Sequence, residues 1–385
     1  MGRQRQSVGA AGLLLPSLEA SSSTSMVSND NEDALLENDG SILANANRSP
    51  SRILAPAALA THLQAIGEAN SRLYNTLPGL PSDPGLTPGA SFALQHMVLL
   101  RHADSVPNFT GDNRSIMDIA IQHAARSPFL LDETLAFTAF HLAECYPGSA
   151  RHLSQLATEL QTRALASFSQ LAERVPPDDK ATAVPRFLFS AILGHHYLAD
   201  TLAHHRNEFD SFIERIAECF TLSRGIKAVT PEARVFLYES EVRPFLDISL
   251  GAQSKIVSPG HECDPLNRLM DSCDLSEVSL TAYRQSISLL QQSFDTLQYL
   301  NESDYPQAAS TFSVHVQPAF VDALRRHQPE ILIILAYYGV LLYHCRTFWP
   351  FHNGGGYLVH AIAKYVGSYW REILIWPLSV VGPER

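Results

Sequence analysis

Two histidines and an aspartate with helical spacing are the first candidates for chemistry in this sequence. His196, Asp200 and His204 follow one another at intervals of four residues, which places them on one face of a helix. Imidazole and carboxylate groups are suitable metal ligands. However, His196 and His204 would lie about 12 Å apart along the helix axis, too far for one ion. We therefore predict no metal site, and we expect His196 and Asp200 to hydrogen-bond to each other or to the helix ends.

Known catalytic motifs are absent from the sequence. It contains no G-x-S-x-G, H-E-x-x-H, P-loop or G-x-G-x-x-G pattern. A catalytic histidine needs a positioned acid and a nucleophile, and the spacing of the histidines shows neither. We predict that the protein is not an enzyme and uses no cofactor. The alternative is an all-α biosynthetic enzyme or accessory protein whose site assembles from distant residues in an apolar cavity.

The cysteines indicate free thiols. Their number is odd and no C-x-x-C occurs, which indicates a reducing compartment and buried thiols, and excludes cysteine-rich zinc modules. Two of them are predicted to lie in a polar loop, where only His261 could add a metal ligand. The five are Cys145, Cys219, Cys263, Cys273 and Cys345.

The C-terminal part of the sequence holds the best candidate for a binding site. Residues 331–343 are apolar on all sides, which predicts a central buried helix, and aromatic residues and three glycines follow. One interpretation is an aromatic core under a glycine turn. The other is a pocket for a flat apolar ligand, with glycines of positive φ at its mouth. The predicted ligand-binding residues are Tyr338, Phe348, Trp349, Gly354, Gly355 and Gly356.

Composition and charge restrict the class of protein. The 385 residues are 45% hydrophobic and 17% charged, which excludes a wholly disordered chain. The net charge of −11 argues against a broad nucleic-acid-binding surface. Protonation of all 16 histidines would bring the charge to about +5, so acidification should affect the protein more than salt. The apolar run at 331–343 is shorter than the ~20 residues of a membrane span, and we expect a soluble intracellular protein.

Helical periodicity predicts an all-α fold with a flexible N-terminal region. We expect a disordered tail at 1–54, a short helix at 55–76, a Pro/Gly/Ser-rich linker at 77–90 and a single irregular helical domain at 91–385. An Arg- and Ser-containing N-terminus would also permit a transit peptide. No constant repeat period is present. Beyond an antiparallel pair at 128–145 and 150–174, helices are predicted at 184–206, 209–223, 231–249, 277–300, 316–326, 329–348 and 356–375.

Four ordered sequence blocks resemble the fungal-specific regulatory domain that follows Zn2Cys6 binuclear zinc clusters. Residues 128–143 have its Pro-Phe-Leu start and His-Leu-Ala end, and residues 193–203 resemble its Leu-Gly-x-His-x-Leu-Ala-Asp block. Residues 223–229 resemble its Arg-Gly-Val-Arg-like turn. The C-terminal block runs from 328 to 349 and on through three glycines to a closing Trp-Pro near 377. The most similar subgroup is that of the sterol uptake control proteins.

The resemblance implies a transcriptional regulator, for example of a metabolic gene cluster, with an all-α ligand-sensing domain. It also implies a protein of the nucleus that shuttles from the cytoplasm. It implies a hydrophobic small-molecule ligand in the glycine-bearing region, and a homodimer or a heterodimer with a zinc-cluster transcription factor. The first 144 residues contain no cysteine, so the chain departs from the family at the zinc cluster. Either the protein naturally lacks that module or the gene model begins late. In both cases we expect no specific DNA binding by this chain.

Overall fold

The computed structural model describes residues 99, 103, 116–227 and 231–384. All regular secondary structure in these ranges is helical, which confirms the predicted all-α class. The predicted tail at 1–54, helix at 55–76 and linker at 77–90 lie outside the described residues. No helix in the described ranges combines the length and the apolar character needed to cross a membrane.

The described ranges contain fourteen α-helices, named α1 to α14 in chain order, and three short 3-10 helices. The 3-10 helices are Pro147–Ser149, Glu302–Asp304 and Ser368–Trp370. The α-helices are α1 Ile116–Ala124, α2 Pro128–Cys145, α3 Ala150–Arg174, α4 Lys180–His204, α5 Phe209–Lys227, α6 Pro231–Tyr238, α7 Arg243–Gln253, α8 Asp264–Ser272, α9 Glu277–Leu297, α10 Tyr305–His315, α11 Pro318–Arg325, α12 Pro329–His344, α13 Gly354–Val366 and α14 Ile375–Val381.

Proline and capping residues set where several helices begin. Pro128 and Pro329 occupy the first positions of α2 and α12, where the missing N–H group has no intrahelical partner in any case. The start of α4 differs from the prediction at 184. The Asp179 side chain accepts a 2.9 Å hydrogen bond from the backbone N–H of Thr182, so the helix begins one turn earlier and includes Pro185.

Other differences from the predicted helices have local causes. The predicted helix 231–249 is two helices, because the chain turns between Tyr238 and Arg243. The helix predicted at 356–375 starts at Gly354 and ends before Gly367, whose φ of 77° stops it. Helices α1, α8 and α10 were not predicted. Helix α8 replaces the predicted polar loop and buries Leu266 and Met270 beneath a polar face.

One helix lies at the centre of the core. All residues of α12 from Ile331 to Leu342 are buried, which confirms the central apolar helix. It packs mainly against α13 and also against α9, α10, α11 and α14. Helices α2 and α3, joined by the 3-10 helix Pro147–Ser149, pack along each other as the predicted antiparallel pair. Helix α4 packs against α2, and this contact contains the candidate site.

Candidate functional site

The triple glycine brings two helices together and does not form a turn. Gly354, Gly355 and Gly356 are the buried first turn of α13, and the described glycines with positive φ are Gly367 and Gly382. A Cβ on Gly355 would collide with the α12 backbone, and one on Gly354 would lie 2.9 Å from the Cβ of Leu202 in α4. The predicted turn with positive φ at these glycines was therefore wrong. The absent side chains permit close helix packing.

The three predicted aromatic residues belong to different ring clusters. The Tyr338 ring packs on Phe312, with 4.8 Å between the ring centroids. Phe348 contacts Phe351 at 5.1 Å, whereas Trp349 contacts Phe137 of α2 at 5.0 Å. These contacts place the three aromatic residues against different neighbours, so they do not show the six predicted residues lining one pocket. Of the six, Trp349 reaches the polar group described next.

A buried carboxylate and a buried imidazole meet between α2 and α4. The Nδ1 atom of His196 lies 3.0 Å from Oε1 of Glu133, and the exposed fractions of the two side chains are 5% and 0%. The amide nitrogen of Gln161, on α3, lies 3.0 Å from the same Nδ1 atom. Three helices therefore converge on one ring nitrogen. Removing ionisable groups from water is unfavourable unless they are paired and hydrogen-bonded. Glu133 and His196 are paired through Oε1 and Nδ1, and this contact offsets part of the unfavourable free energy of burial.

Two polar atoms at this place have no partner. Oε2 of Glu133 and Nε1 of Trp349 are buried and make no hydrogen bond within the described part of the chain. An unsatisfied buried polar group costs about 1–3 kcal/mol, and more when it is charged. Buried polar atoms in folded proteins are nearly always hydrogen-bonded, if not to the protein then to water or to a bound molecule. The site thus offers one acceptor and one donor to such a molecule.

Aromatic rings lie between the residues that carry these two atoms. Glu133, Phe137 and Phe140 lie at i, i+4 and i+7 on one face of α2. The ring of Trp349 lies 5.0 Å from that of Phe137 and 5.9 Å from that of Phe140. The ring of His196 contacts the same two rings, at 5.7 and 5.1 Å. We call Glu133, Phe137, Phe140, His196 and Trp349 the Glu133 site.

The three residues with helical spacing do not act together. His196 faces the core, whereas Asp200 contacts the rings of His204 and His205 at 3.1 Å and Arg215 at 2.7 Å. The expected hydrogen bond between His196 and Asp200 was wrong. Each step of four residues turns the side chain by about 40° around the helix axis, and this moves Asp200 and His204 toward solvent. Among the described residues, no group of three or more His, Cys, Asp or Glu side chains is arranged to hold a metal ion.

The cysteines are all free, but not all buried. Cys219, Cys263 and Cys345 are buried as expected, Cys273 is partly buried and Cys145 is exposed. The Sγ atom of Cys145 lies 3.6 Å from Nε2 of His141, one turn earlier in α2. Burial raises the pKa of Cys219 to about 12, which makes this thiol unreactive at neutral pH.

Sequence reasoning missed Glu133, although a signal was present. Helix α2 is apolar or small on nearly every side, so an ionisable residue in its middle has no solvated face to occupy. Comparison with protein-family models and with curated proteins finds no match for this chain.

Proposed function

We propose that this protein is a non-enzymatic transcriptional regulator of the fungal-specific regulatory-domain type, which responds to a small molecule through its helical domain. It works in the nucleus after passage from the cytoplasm. The 385 residues contain no six-cysteine zinc cluster, and in this proposal they act on transcription through a partner. That partner is a second copy of the chain or a zinc-cluster transcription factor.

One observation carries this proposal: three of the four resembling blocks meet at the Glu133 site. Glu133 lies in block 128–143, His196 in block 193–203 and Trp349 at the end of block 328–349. The blocks are separated by up to two hundred residues, yet their side chains are in contact through the Phe137 and Phe140 rings. A set of blocks that folds onto one polar and aromatic centre supports a ligand-sensing role for that centre.

Trp349 is the member of the predicted ligand-binding set that we retain. It joins an apolar wall to an unpartnered indole N–H, and ligand sites combine largely apolar linings with a few polar groups of this kind. Gly354, Gly355 and Gly356 set the position of α13 and act on the ligand only through the packing of that helix. Tyr338 and Phe348 contribute to the core around α12.

The enzyme alternative has one observation in its favour. A carboxylate that binds Nδ1 of a histidine is the arrangement that orients a general base, and Glu133 stands in this relation to His196. However, no hydroxyl or thiol in the described part of the chain is hydrogen-bonded to the His196 ring. Without a nucleophile, the pair supports binding better than catalysis.

Thermal denaturation with and without ligands tests the proposal. We expect a sterol panel, or hydrophobic extracts of the source cells, to raise the melting temperature of the full chain, since a ligand that binds the folded state stabilises it. Trp349→Phe, which removes the N–H group and keeps an aromatic ring, should reduce the shift. Trp376→Phe is the matched control, because Trp376 packs on Tyr337 and Phe294 in a different cluster. No shift of the wild type with any sample would contradict the proposal.

DNA binding is tested separately. The net charge of −11 opposes the phosphate backbone, and the resemblance provides no groove-reading module in these residues. We expect the purified full chain to bind promoter fragments no better than random duplex at physiological salt. A preferential shift of one fragment would show that the chain reads DNA without a partner.

A further inference from the structure

The Glu133 site has the chemistry of a receptor for an organic cation. Its two unpartnered atoms are a carboxylate oxygen and an indole N–H, and its walls are the rings of Phe137, Phe140 and Trp349. We propose that the ligand of this site is a protonated amine that also carries a hydroxyl or carbonyl oxygen. This inference rests on the proposed ligand-responsive function and specifies the class of molecule.

The carboxylate favours a cation over a neutral donor. Glu133 is fully buried, and its partner at Oε1 is the imidazole of His196. A neutral alcohol could donate a hydrogen bond to Oε2, but it would add no charge to the pair. An ammonium group donates the same hydrogen bond, and in a low-dielectric interior a charge-assisted bond is roughly twice as strong as a neutral one.

The aromatic walls favour the same class. Tryptophan gives the strongest cation–π interaction of the aromatic side chains, followed by tyrosine and phenylalanine. Elsewhere the protein places its own cations over rings: the guanidinium of Arg206 lies 4.8 Å from the centroid of Tyr357, and that of Arg215 lies 4.5 Å from Tyr197. Trp349 carries no such cation within the described residues. A ligand cation would meet Trp349 beside the Phe137 and His141 rings, whose centroids lie 5.0 and 4.7 Å from that of Trp349.

The indole N–H specifies the second group of the ligand. Nε1 of Trp349 is buried and lacks an acceptor in the described part of the chain. An amine alone would satisfy Glu133 and leave this donor unpaired. An oxygen elsewhere on the same ligand would accept the indole N–H, so a ligand with both an ammonium group and an acceptor oxygen matches both atoms.

The position of Trp349 gives the site a wall outside the helices. Trp349 lies on the connection between α12 and α13, whereas Phe137 and Phe140 lie within α2. The same connection contains His352, whose φ of 38° is uncommon for a residue other than glycine. The Trp349 wall is therefore positioned by a connecting segment, whereas the Phe137 and Phe140 walls are positioned by a helix.

Calorimetric titration of the full chain with two matched probes tests the inference. The probes are 2-amino-1-phenylethanol and 1-phenylethane-1,2-diol, which share a skeleton and differ in an ammonium and a hydroxyl group. We expect the amine to bind the wild type about tenfold more tightly than the diol at neutral pH. Glu133→Gln should abolish this preference. Glu144→Gln should keep it, because Glu144 lies on the same helix but is 35% exposed and faces His204.

The outcomes separate this inference from the proposed function. Equal binding of the two probes, or no binding of the amine, overturns the amine inference. The proposed function is tested separately, by the melting temperature with sterols and cell extracts and by its effect on transcription. Trp349→Phe provides a second variant in case Glu133→Gln does not fold, and it should weaken amine binding about threefold through the lost N–H contact. Unchanged amine binding in this variant also overturns the inference.

Discussion

Gly355 of α13 faces Gly339 of α12 so closely that a Cβ at position 355 would collide with the carbonyl oxygen of Gly339. The reverse contact is also tight, because a Cβ on Gly339 would lie 3.1 Å from the carbonyl oxygen of Gly355 and 2.9 Å from Cγ2 of Val359. The two glycines let the backbones of α12 and α13 touch. The connection that carries Trp349 joins these two helices, so this contact fixes both ends of the segment.

Substitution of Gly355 should destabilise the fold. We expect Gly355→Ala to lower the free energy of unfolding by about 1–3 kcal/mol, because the backbones must separate. Gly355→Asp should lower it further, since it also buries a charge. Gly356→Ala is the matched control: its Cβ would have 3.7 Å to the nearest atom, Cδ2 of Tyr343, and alanine favours helix. Urea denaturation measures all three, and equal midpoints for Gly355→Ala and Gly356→Ala would refute this packing.

The buried pair should contribute to stability as well as to binding. Glu133→Gln keeps the volume of the side chain but removes the charge opposite His196, and we expect a loss of about 1–3 kcal/mol. Glu144→Gln should change stability by less than about 0.5 kcal/mol, because its pairing with His204 is partly solvated. Denaturant unfolding at neutral pH compares the two. A similar small loss in both would mean that the Glu133 pair is energetically unimportant.

Acid should destabilise the protein through His195. Burial lowers the pKa of His195 from 6.5 to about 4, against a smaller opposing effect of its hydrogen bond to the Ala191 carbonyl oxygen. The unfolded chain therefore binds a proton below pH 6.5 that the folded chain takes up only near pH 4. The associated stability is complete above pH 6.5 and is lost as the pH falls toward 4, by up to about 3 kcal/mol.

The variant His195→Gln isolates this contribution. Its free energy of unfolding should fall less than that of the wild type between neutral pH and pH 4.5, because the titrating group is gone. The comparison is needed because burial also lowers the pKa values of His152 and His344. Parallel pH profiles for the wild type and the variant would show that His195 does not carry the effect.

The thiols should react in the order of their exposure. We expect iodoacetamide to modify Cys145 first in the native protein, about tenfold faster than the buried cysteines, as measured by mass spectrometry. Burial raises the pKa values of Cys219, Cys263 and Cys345, so these should react only after unfolding. Cys145→Ser should remove the fast phase. Rapid modification of Cys345, which lies directly after α12, would show that the core opens readily.

The sequence predicted the helices that have a complete amphipathic or apolar pattern. Helix α12 was recognised because its residues are apolar on every side, and α2 because Pro128 and Pro147 delimit it. Helices α1 and α8 were not predicted. Each has nine residues and shows only a short apolar pattern. Gly354, Gly355 and Gly356 were misassigned for another reason. A run of glycines in the sequence is compatible with a turn or with close helix packing. Only the position of the α12 backbone in the fold shows that close packing is the reason.

The candidate site was predictable only in part. Trp349 could be selected because it follows an apolar helix in an aromatic segment. Its contact with Phe137, more than two hundred residues earlier, depends on how α2 packs near the end of α12. Glu133 and His196 are separated by 63 residues, and neither has a neighbour in sequence that indicates the pair. Such long-range polar pairs are set by tertiary packing.

Reporter transcription in fungal cells tests whether this chain regulates transcription. The full chain would be fused to a DNA-binding domain that has no regulatory activity of its own, and transcription from a matching promoter would be measured. We expect the fusion to change transcription relative to the DNA-binding domain alone. Trp349→Phe should alter this effect, and Trp376→Phe should not. Transcription equal to that with the DNA-binding domain alone would contradict a role as a transcriptional regulator.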